Sequence, residues 1–118
     1  MAYYKFKPRE TFIADLKRLG RLDHSIISEI RAAIEMLLEN QHLPADFQEH
    51  RLKRQFSAYQ EFHLRDTPVG KQPNDINDVV IIYTVDISEL TFIGIRAGSH
   101  ALLFKDQNTS VKYQKPQK

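Results

Sequence analysis

Acid–base side chains gather near the ends of predicted strands in the second half of the chain. Glu61 and His63 lie two residues apart in an alternating segment, and Asp78 precedes an apolar run. His100 follows a Gly-Ser pair after the next apolar run. Histidine has an ordinary pKa of about 6.5, so it can accept or donate a proton near neutral pH. These residue types therefore indicate acid–base chemistry at the end of a sheet.

Metal-free cleavage of RNA is a reaction that such residues could perform. A base removes the 2′-OH proton, a cation or hydrogen-bond donor stabilises the added phosphate charge, and an acid protonates the leaving 5′-oxygen. Histidine, aspartate or glutamate, and Arg96 would supply these roles from one sheet face. The alternative is that they are surface residues with satisfied hydrogen bonds, and spacing alone favours that plainer interpretation.

Other catalytic and ligand-binding motifs are weak or absent in the sequence. The chain has no cysteine, which excludes a disulfide framework and any cysteine-based nucleophile or zinc site. His50, His63 and His100 with Glu61 could bind zinc in principle, but without a tight HxH or HxxxH pair no metal site is predicted. The sequence has no phosphate-binding glycine loop and no GxSxG serine.

Length and composition predict one domain without a membrane span. The chain has 118 residues, 42% of them hydrophobic, and a net charge of +2. No apolar run approaches the roughly 18 residues of a spanning helix, and the first residues lack the apolar core of a signal peptide. We therefore expect a cytoplasmic protein in which residues 1–104 form the domain and residues 105–118 a basic, flexible tail.

Two helices are predicted in the first half of the chain. Residues 3–7 alternate as a strand, and Pro8 then opens a helix that should end at Gly20. Asp23 or Ser25 should cap a second helix, whose isoleucines and leucines recur at helical spacing. The two helices should form an antiparallel hairpin on one face of a sheet.

Three strands are predicted in the second half of the chain. Residues 58–64 alternate, and residues 79–85 and 90–96 are apolar enough for buried strands. The expected fold class is α+β, with a helical hairpin on a small antiparallel sheet, in the order βααβββ plus a short C-terminal helix. Glu61 and His63 should lie on the face away from the helices.

Four short segments form a pattern that can be compared with known families. They are His50-Arg-Leu, Glu61-Phe-His63, Asp78-Val-Val-Ile-Ile-Tyr83 and Arg96-Ala-Gly-Ser-His-Ala-Leu-Leu-Phe104. In these segments the chain resembles the RelE/ParE superfamily of bacterial toxins, and within it the YafQ-like branch. The resemblance covers roughly residues 3–104, and its last motif is the specific one.

The resemblance implies a function as well as a RelE-like fold. It implies the toxin of a type II toxin–antitoxin system, an endoribonuclease that cuts mRNA on the ribosome and so inhibits translation. No metal or organic cofactor is implied. The implied partners are a cognate antitoxin, mRNA and ribosomal RNA, and the toxin–antitoxin complex could bind operator DNA.

The resemblance also assigns acid–base roles by position. These roles fall on His50, Glu61, His63, Asp78 and His100. His100 is expected to protonate the leaving oxygen, and His63 or Asp78 to take the 2′-OH proton. Glu61 stands where the branch usually has aspartate.

Four further residues are expected to hold the substrate. Arg96 stands where superfamily members often place a phosphate-contacting arginine, and Phe104 matches an aromatic residue that helps to hold RNA. Lys53 and Arg54 follow His50 and could bind phosphate, although a solvated surface role explains them equally well.

The chain departs from the branch in one region that affects the site. The polar loop between His63 and Asp78 is about a dozen residues longer than in the shorter members, which leaves Asp66 and Asp75 as alternatives to Asp78. Two other functions remain open at this point. One is a ParE-like toxin that inhibits DNA gyrase without cleaving RNA, and the other is a decayed toxin that acts only in a repressor complex.

Overall fold

The computed structural model describes residues 4–104, which form five strands and three helices with two short 3-10 turns. The elements are β1 (Lys5–Pro8), α1 (Glu10–Leu22), α2 (His24–Asn40), β2 (His50–Arg51), β3 (Gln60–Arg65), β4 (Val79–Asp86), β5 (Thr91–Gly98) and α3 (His100–Leu103). The predicted tail, residues 105–118, lies outside the described residues. Within residues 4–104, no helix has both the length and the apolar content to cross a membrane.

The strands form one mixed sheet in the order β1-β5-β4-β3-β2. Neighbours from β2 to β5 are antiparallel, whereas β1 runs parallel to β5 with Lys5 opposite Thr91. The predicted α+β class is confirmed, but the expectation of a wholly antiparallel sheet was wrong for β1. No hairpin joins β1 to β5, so no turn forces them to be antiparallel.

The main core lies between the helical hairpin and one face of the sheet. Phe12 and Leu19 of α1 are fully buried there, as is Ile26 of α2, and all three pack with Phe62 of β3. Burying one such side chain contributes about 1.5–3 kcal/mol to folding. The amphipathic patterns read from the sequence therefore face each other across this interface.

Gly20 does not end α1, and that prediction was wrong. The helix continues to Leu22, and a Cβ on Gly20 would lie 3.4 Å from the Ile27 side chain. Gly20 therefore lies where the two helices are in ordinary van der Waals contact. The second helix is capped as predicted, because the Asp23 carboxylate accepts a hydrogen bond from the backbone N–H of Ser25 at 3.0 Å.

Side chains of α1 take the place of a neighbouring strand along the last residues of β5. Thr11 Oγ1 donates to the Ile95 carbonyl at 2.6 Å, and Arg18 Nη2 donates to the Ala97 carbonyl at 3.1 Å. The Asp15 carboxylate accepts from the backbone N–H of Ala97 at 2.9 Å. These contacts satisfy the edge where β1 has ended, and they hold the segment that leads into α3.

Candidate active site

The acid–base residues meet on the sheet face opposite the two long helices. In β3, Phe62 points into the core, so Glu61 and His63 point the other way, as the alternating pattern predicted. The short strand β2 places His50 directly opposite Glu61 in the sheet register. His100, the first residue of α3, reaches the same place from the end of β5.

Glu61 lies at the centre of this cluster, and it is only 3% exposed. Its Oε2 atom is 3.1 Å from His63 Nε2, 3.4 Å from His50 Nε2 and 3.5 Å from His100 Nε2. Burial alone would raise the pKa of the Glu61 carboxyl, but the imidazole groups of His100 and His63 lower that pKa to about 2. Glu61 is therefore a permanent anion surrounded by three imidazoles.

The second nitrogen of each histidine ring faces another oxygen acceptor. These contacts are His63 Nδ1 with Asp66 Oδ1 at 2.7 Å, His100 Nδ1 with Asp78 Oδ1 at 2.9 Å, and His50 Nδ1 with the Gln48 backbone oxygen at 2.8 Å. An oxygen acceptor at Nδ1 favours the tautomer that carries its proton there. Each ring thus has its own acceptor at Nδ1, while its Nε2 faces Glu61.

These carboxylates favour the protonated forms of His63 and His100. The hydrogen bond with Glu61, helped by Asp66 and opposed by burial, raises the pKa of His63 from 6.5 to about 9. The interaction with Glu61, helped by Asp78 and also opposed by burial, raises the pKa of His100. Both rings are thus better suited to donate protons or to stabilise negative charge than to accept a proton.

Asp78 supports His100 with both of its carboxylate oxygens. One accepts from the His100 backbone N–H at 2.8 Å, and the other contacts the ring at 2.9 Å. Asp66 and Asp75 do not take this place, because Asp66 contacts His63 and Asp75 accepts from Ser99 Oγ at 2.7 Å. The long loop therefore contributes carboxylates to the site in addition to Asp78.

Arg96 lies on the site side of the sheet but is paired with α1. It is opposite Ile82, which in turn is opposite Glu61. Its guanidinium donates two hydrogen bonds to Asp15, at 2.7 and 3.2 Å. Burial would raise the pKa of Asp15, but hydrogen bonds led by that of Arg96 lower it. Arg96 therefore helps to neutralise a buried carboxylate, and its contact with phosphate stays a prediction.

The other predicted substrate-holding residues surround the cluster. The rings of Phe104 and His100 are stacked, with centroids 6.1 Å apart and planes at 29°. Phe104 is buried in a small second core that includes Leu52. Lys53 and Arg54 are exposed just after Leu52. Their contacts with RNA stay predictions.

His50, Glu61 and His63 also have the donor types of a transition-metal site. Their potential ligand atoms all lie within 4.8 Å of one another. Ligating histidines commonly bond their other ring nitrogen to a carboxylate or a carbonyl, as these two do with Asp66 and Gln48. The geometry of this group, among the described residues, therefore fits a metal ion, although the spacing of the histidines in the sequence predicted no metal site.

Sequence reasoning missed a partly buried network beside His50. Tyr83 donates from its hydroxyl toward Glu49 Oε2 at 2.8 Å and lies 3.1 Å from Gln60 Oε1. The other Glu49 oxygen accepts from the backbone N–H of Leu43 at 2.8 Å. Burial, followed by the Glu49 contact, raises the pKa of Tyr83. The only signal in the sequence was the position of Glu49 next to His50.

Known proteins share both the sequence pattern and the fold. A family model described as the bacterial toxin of type II toxin–antitoxin systems, YafQ, matches residues 4–105. A comparison with curated protein sequences finds no match.

Three solved structures illustrate the likeness in fold. YafQ from E. coli is 22% identical with a TM-score of 0.65, and the match covers 86% of this chain and 99% of that chain. The toxin in the E. coli DinJ–YafQ complex is 23% identical over 86% and 99% of the two chains, with a TM-score of 0.64. A metal-bound toxin from Helicobacter pylori is 24% identical over 86% and 100%, with a TM-score of 0.70. The family match spans all of the described residues, and the chain therefore belongs to the YafQ family of bacterial toxins of type II toxin–antitoxin systems.

Proposed function

We propose that the protein is an endoribonuclease that cleaves mRNA on the ribosome by acid–base catalysis, and so inhibits translation. The observation that carries the proposal is the convergence of three histidine Nε2 atoms, all within 3.5 Å, on one buried oxygen of Glu61. Two of the rings lie at the surface as well as in the cluster, with 48% of the His50 side chain and 42% of the His100 side chain exposed. A phosphate group could therefore reach both.

His100 is the proposed acid, and His63 the proposed charge stabiliser. Because Glu61 and Asp78 raise the pKa of His100, its ring holds a proton that it can give to the leaving 5′-oxygen. His63 is less accessible, and its pKa of about 9 keeps it cationic at neutral pH. A fixed cation at this place would stabilise the negative charge that builds on the phosphate.

His50 is the proposed base, in place of His63 or Asp78. The Asp78 oxygens are both engaged with His100, and both ring nitrogens of His63 face carboxylates. The Nδ1 of His50 faces a neutral backbone carbonyl, so His50 has one carboxylate neighbour, Glu61, where His63 and His100 each have two. In the proposed reaction Nε2 takes the 2′-OH proton and the 2′-oxygen attacks phosphorus. The bond to the 5′-oxygen then breaks as His100 protonates it, leaving a 2′,3′-cyclic phosphate and a 5′-OH.

Substrate would be held by residues around this centre. Phe104 is buried against His100 and would help to hold substrate through that ring, on which it stacks. Lys53 and Arg54 are exposed and would meet phosphates, and Arg96 would do so while it keeps Asp15 as its partner. Each of these contacts predicts a rise in KM when the side chain is removed.

The proposed partner is a cognate antitoxin in the bacterial cytoplasm. DinJ is found in complex with YafQ in E. coli. An antitoxin of this chain would silence the nuclease, and the complex would bind operator DNA. Co-expression with the proposed antitoxin should abolish the growth arrest that the toxin alone is expected to cause.

Mapping of RNA ends in bacteria that express the protein tests the nuclease proposal. New 5′ ends within messages should appear within minutes of induction, and the DNA-damage response should stay silent. The opposite pattern, with intact messages and induced DNA damage, would support the ParE-like inhibition of gyrase.

Reversible inhibition by a transition metal is a second candidate property of the same cluster. The ligand atoms of His50, Glu61 and His63 fit such an ion, and a toxin of similar fold is metal-bound. An ion on these Nε2 atoms would block proton transfer. We expect micromolar Zn²⁺ to inhibit cleavage and EDTA to restore it, with EDTA alone having no effect. Loss of activity in EDTA alone would instead indicate a metal-dependent nuclease.

A further inference from the structure

Gln48 lies behind the histidine cluster, in the turn that leads into β2. Its backbone is left-handed, with φ 52° and ψ 46°, which is uncommon for a residue other than glycine. The carbonyl oxygen of Gln48 accepts from the His50 ring at 2.8 Å, and its side-chain amide donates to Asp66 Oδ2 at 3.0 Å. One residue is therefore connected to the supports of two histidines.

Asp66 begins the long polar loop that follows β3. Its Oδ1 lies 2.7 Å from His63 Nδ1, and its Oδ2 is the atom that Gln48 holds. The side chain is half-exposed, yet both carboxylate oxygens are engaged, which fixes the plane of the carboxylate. The hydrogen bond then fixes the plane of the His63 ring as well.

We propose that Gln48 and Asp66 are a pair of positioning residues, which hold the rings of His50 and His63 with their Nε2 atoms turned into the cluster where the proposed reaction takes place. The inference rests on the proposed nuclease function. Neither residue touches the reacting atoms, since each contacts only the Nδ1 side of a ring. The long loop is then a support of the site through Asp66.

His100 gives an internal contrast, because its support is separate. Its ring and backbone are held by Asp78, and the described contacts of Asp78 include neither Gln48 nor Asp66. Loss of the Gln48–Asp66 pair should therefore disturb proton abstraction and charge stabilisation, and should leave the orientation of His100 intact.

Kinetics of Asp66 variants test the proposal in a purified translation system with a defined message. Asp66→Ala should lower kcat by about ten- to a hundredfold, as expected for a misplaced catalytic group, with KM changed less than twofold. Asp66→Asn keeps an oxygen for His63 Nδ1 and should recover most of the activity. Thr67→Val, the matched control, removes a hydroxyl bonded within the same loop to Asn77 and should leave kcat unchanged.

A double-mutant cycle separates positioning from a general effect on the loop. If Asp66 acts through His63, then Asp66→Ala should cause no further loss of kcat in a His63→Ala background. If Asp66 only orders the loop, the two losses should multiply, and Thr67→Val should also lose activity. Either of those results would overturn the proposal.

Nuclear magnetic resonance of the full chain gives a measurement that does not depend on activity. The proton on His63 Nδ1 should give a low-field signal in the wild type that is lost in Asp66→Ala. Gln48→Gly keeps the left-handed backbone and its carbonyl, so it should retain the His50 Nδ1 signal and lose less activity than Asp66→Ala. An unchanged His63 signal in Asp66→Ala would refute positioning. If the signal is lost in Asp66→Ala but the wild type cleaves no RNA, the positioning role would stand and only the proposed function would be refuted.

Discussion

Phe62 and Glu61 are neighbours in β3, and both are buried, but the two faces of the sheet bury them in opposite ways. Phe62 is 0% exposed in an apolar core beneath the helices, where burial itself is favourable. Glu61 is 3% exposed on the other face, where burial opposes its charge and three imidazoles offset the cost. One face therefore contributes stability, and the other holds charges in an arrangement suited to chemistry.

The largest effect on stability is expected from the apolar face. Phe62→Ala should lower the free energy of unfolding by about 3–5 kcal/mol, because it leaves a cavity among closely packed side chains. Urea denaturation of the purified protein measures this loss. A loss below about 1 kcal/mol would show that the core beneath β3 is not tightly packed.

A smaller loss of stability with a large loss of activity is expected at Glu61. Glu61→Gln keeps the shape of the side chain and removes the charge that holds His63 and His100 protonated, so the pKa of His63 should fall toward 6.5. We expect message cleavage to fall at least tenfold at pH 8. Glu35→Gln, on the exposed side of α2, is the matched control. Full activity in Glu61→Gln would show that the charge of Glu61 is not needed for cleavage.

The charged face should also make stability depend on pH. The pKa of His63 is raised from 6.5 to about 9, so its stabilisation is complete below pH 6.5 and is lost as the pH rises through 9. The pKa of Glu61 is lowered from 4.5 to about 2, so its stabilisation is present above pH 4.5 and is lost as the pH falls through 2. The contribution of the cluster should be greatest between these limits, at about pH 4.5–6.5. Denaturation curves across pH should be flatter for Glu61→Gln, and identical pH profiles for the two proteins would contradict this.

The two faces also differ in how much the sequence could predict. Period-two alternation was enough to put Phe62 in the core and Glu61 and His63 on the other face. Some contacts that support the site follow no such pattern, because they join segments that are distant in the chain, as Asp78 and His100 are at 22 positions apart. Asp15 and Arg96, for example, are 81 positions apart and meet only because α1 covers the free edge of β5.

Short sequence signals also failed to predict the end of one helix and the presence of one strand. A glycine after an apolar helical pattern is a common stop signal, but α1 continues past Gly20 to Leu22. The two-residue strand β2 is too short to show periodicity, although it is what places His50 beside Glu61. The polar loop offered Asp66 as an alternative to Asp78, but nothing in the sequence indicated that Asp66 would contact His63 instead.

The central claim is that the histidine cluster cleaves RNA, and replacement of the proposed acid tests it most directly. Wild type and His100→Ala should be expressed at equal levels in a growing bacterium, and message ends should be mapped after induction. Because His100 is partly exposed, the variant should fold, and it should lose cleavage by about a hundredfold or more together with its toxicity. Equal cleavage and equal toxicity of the two proteins would contradict the account.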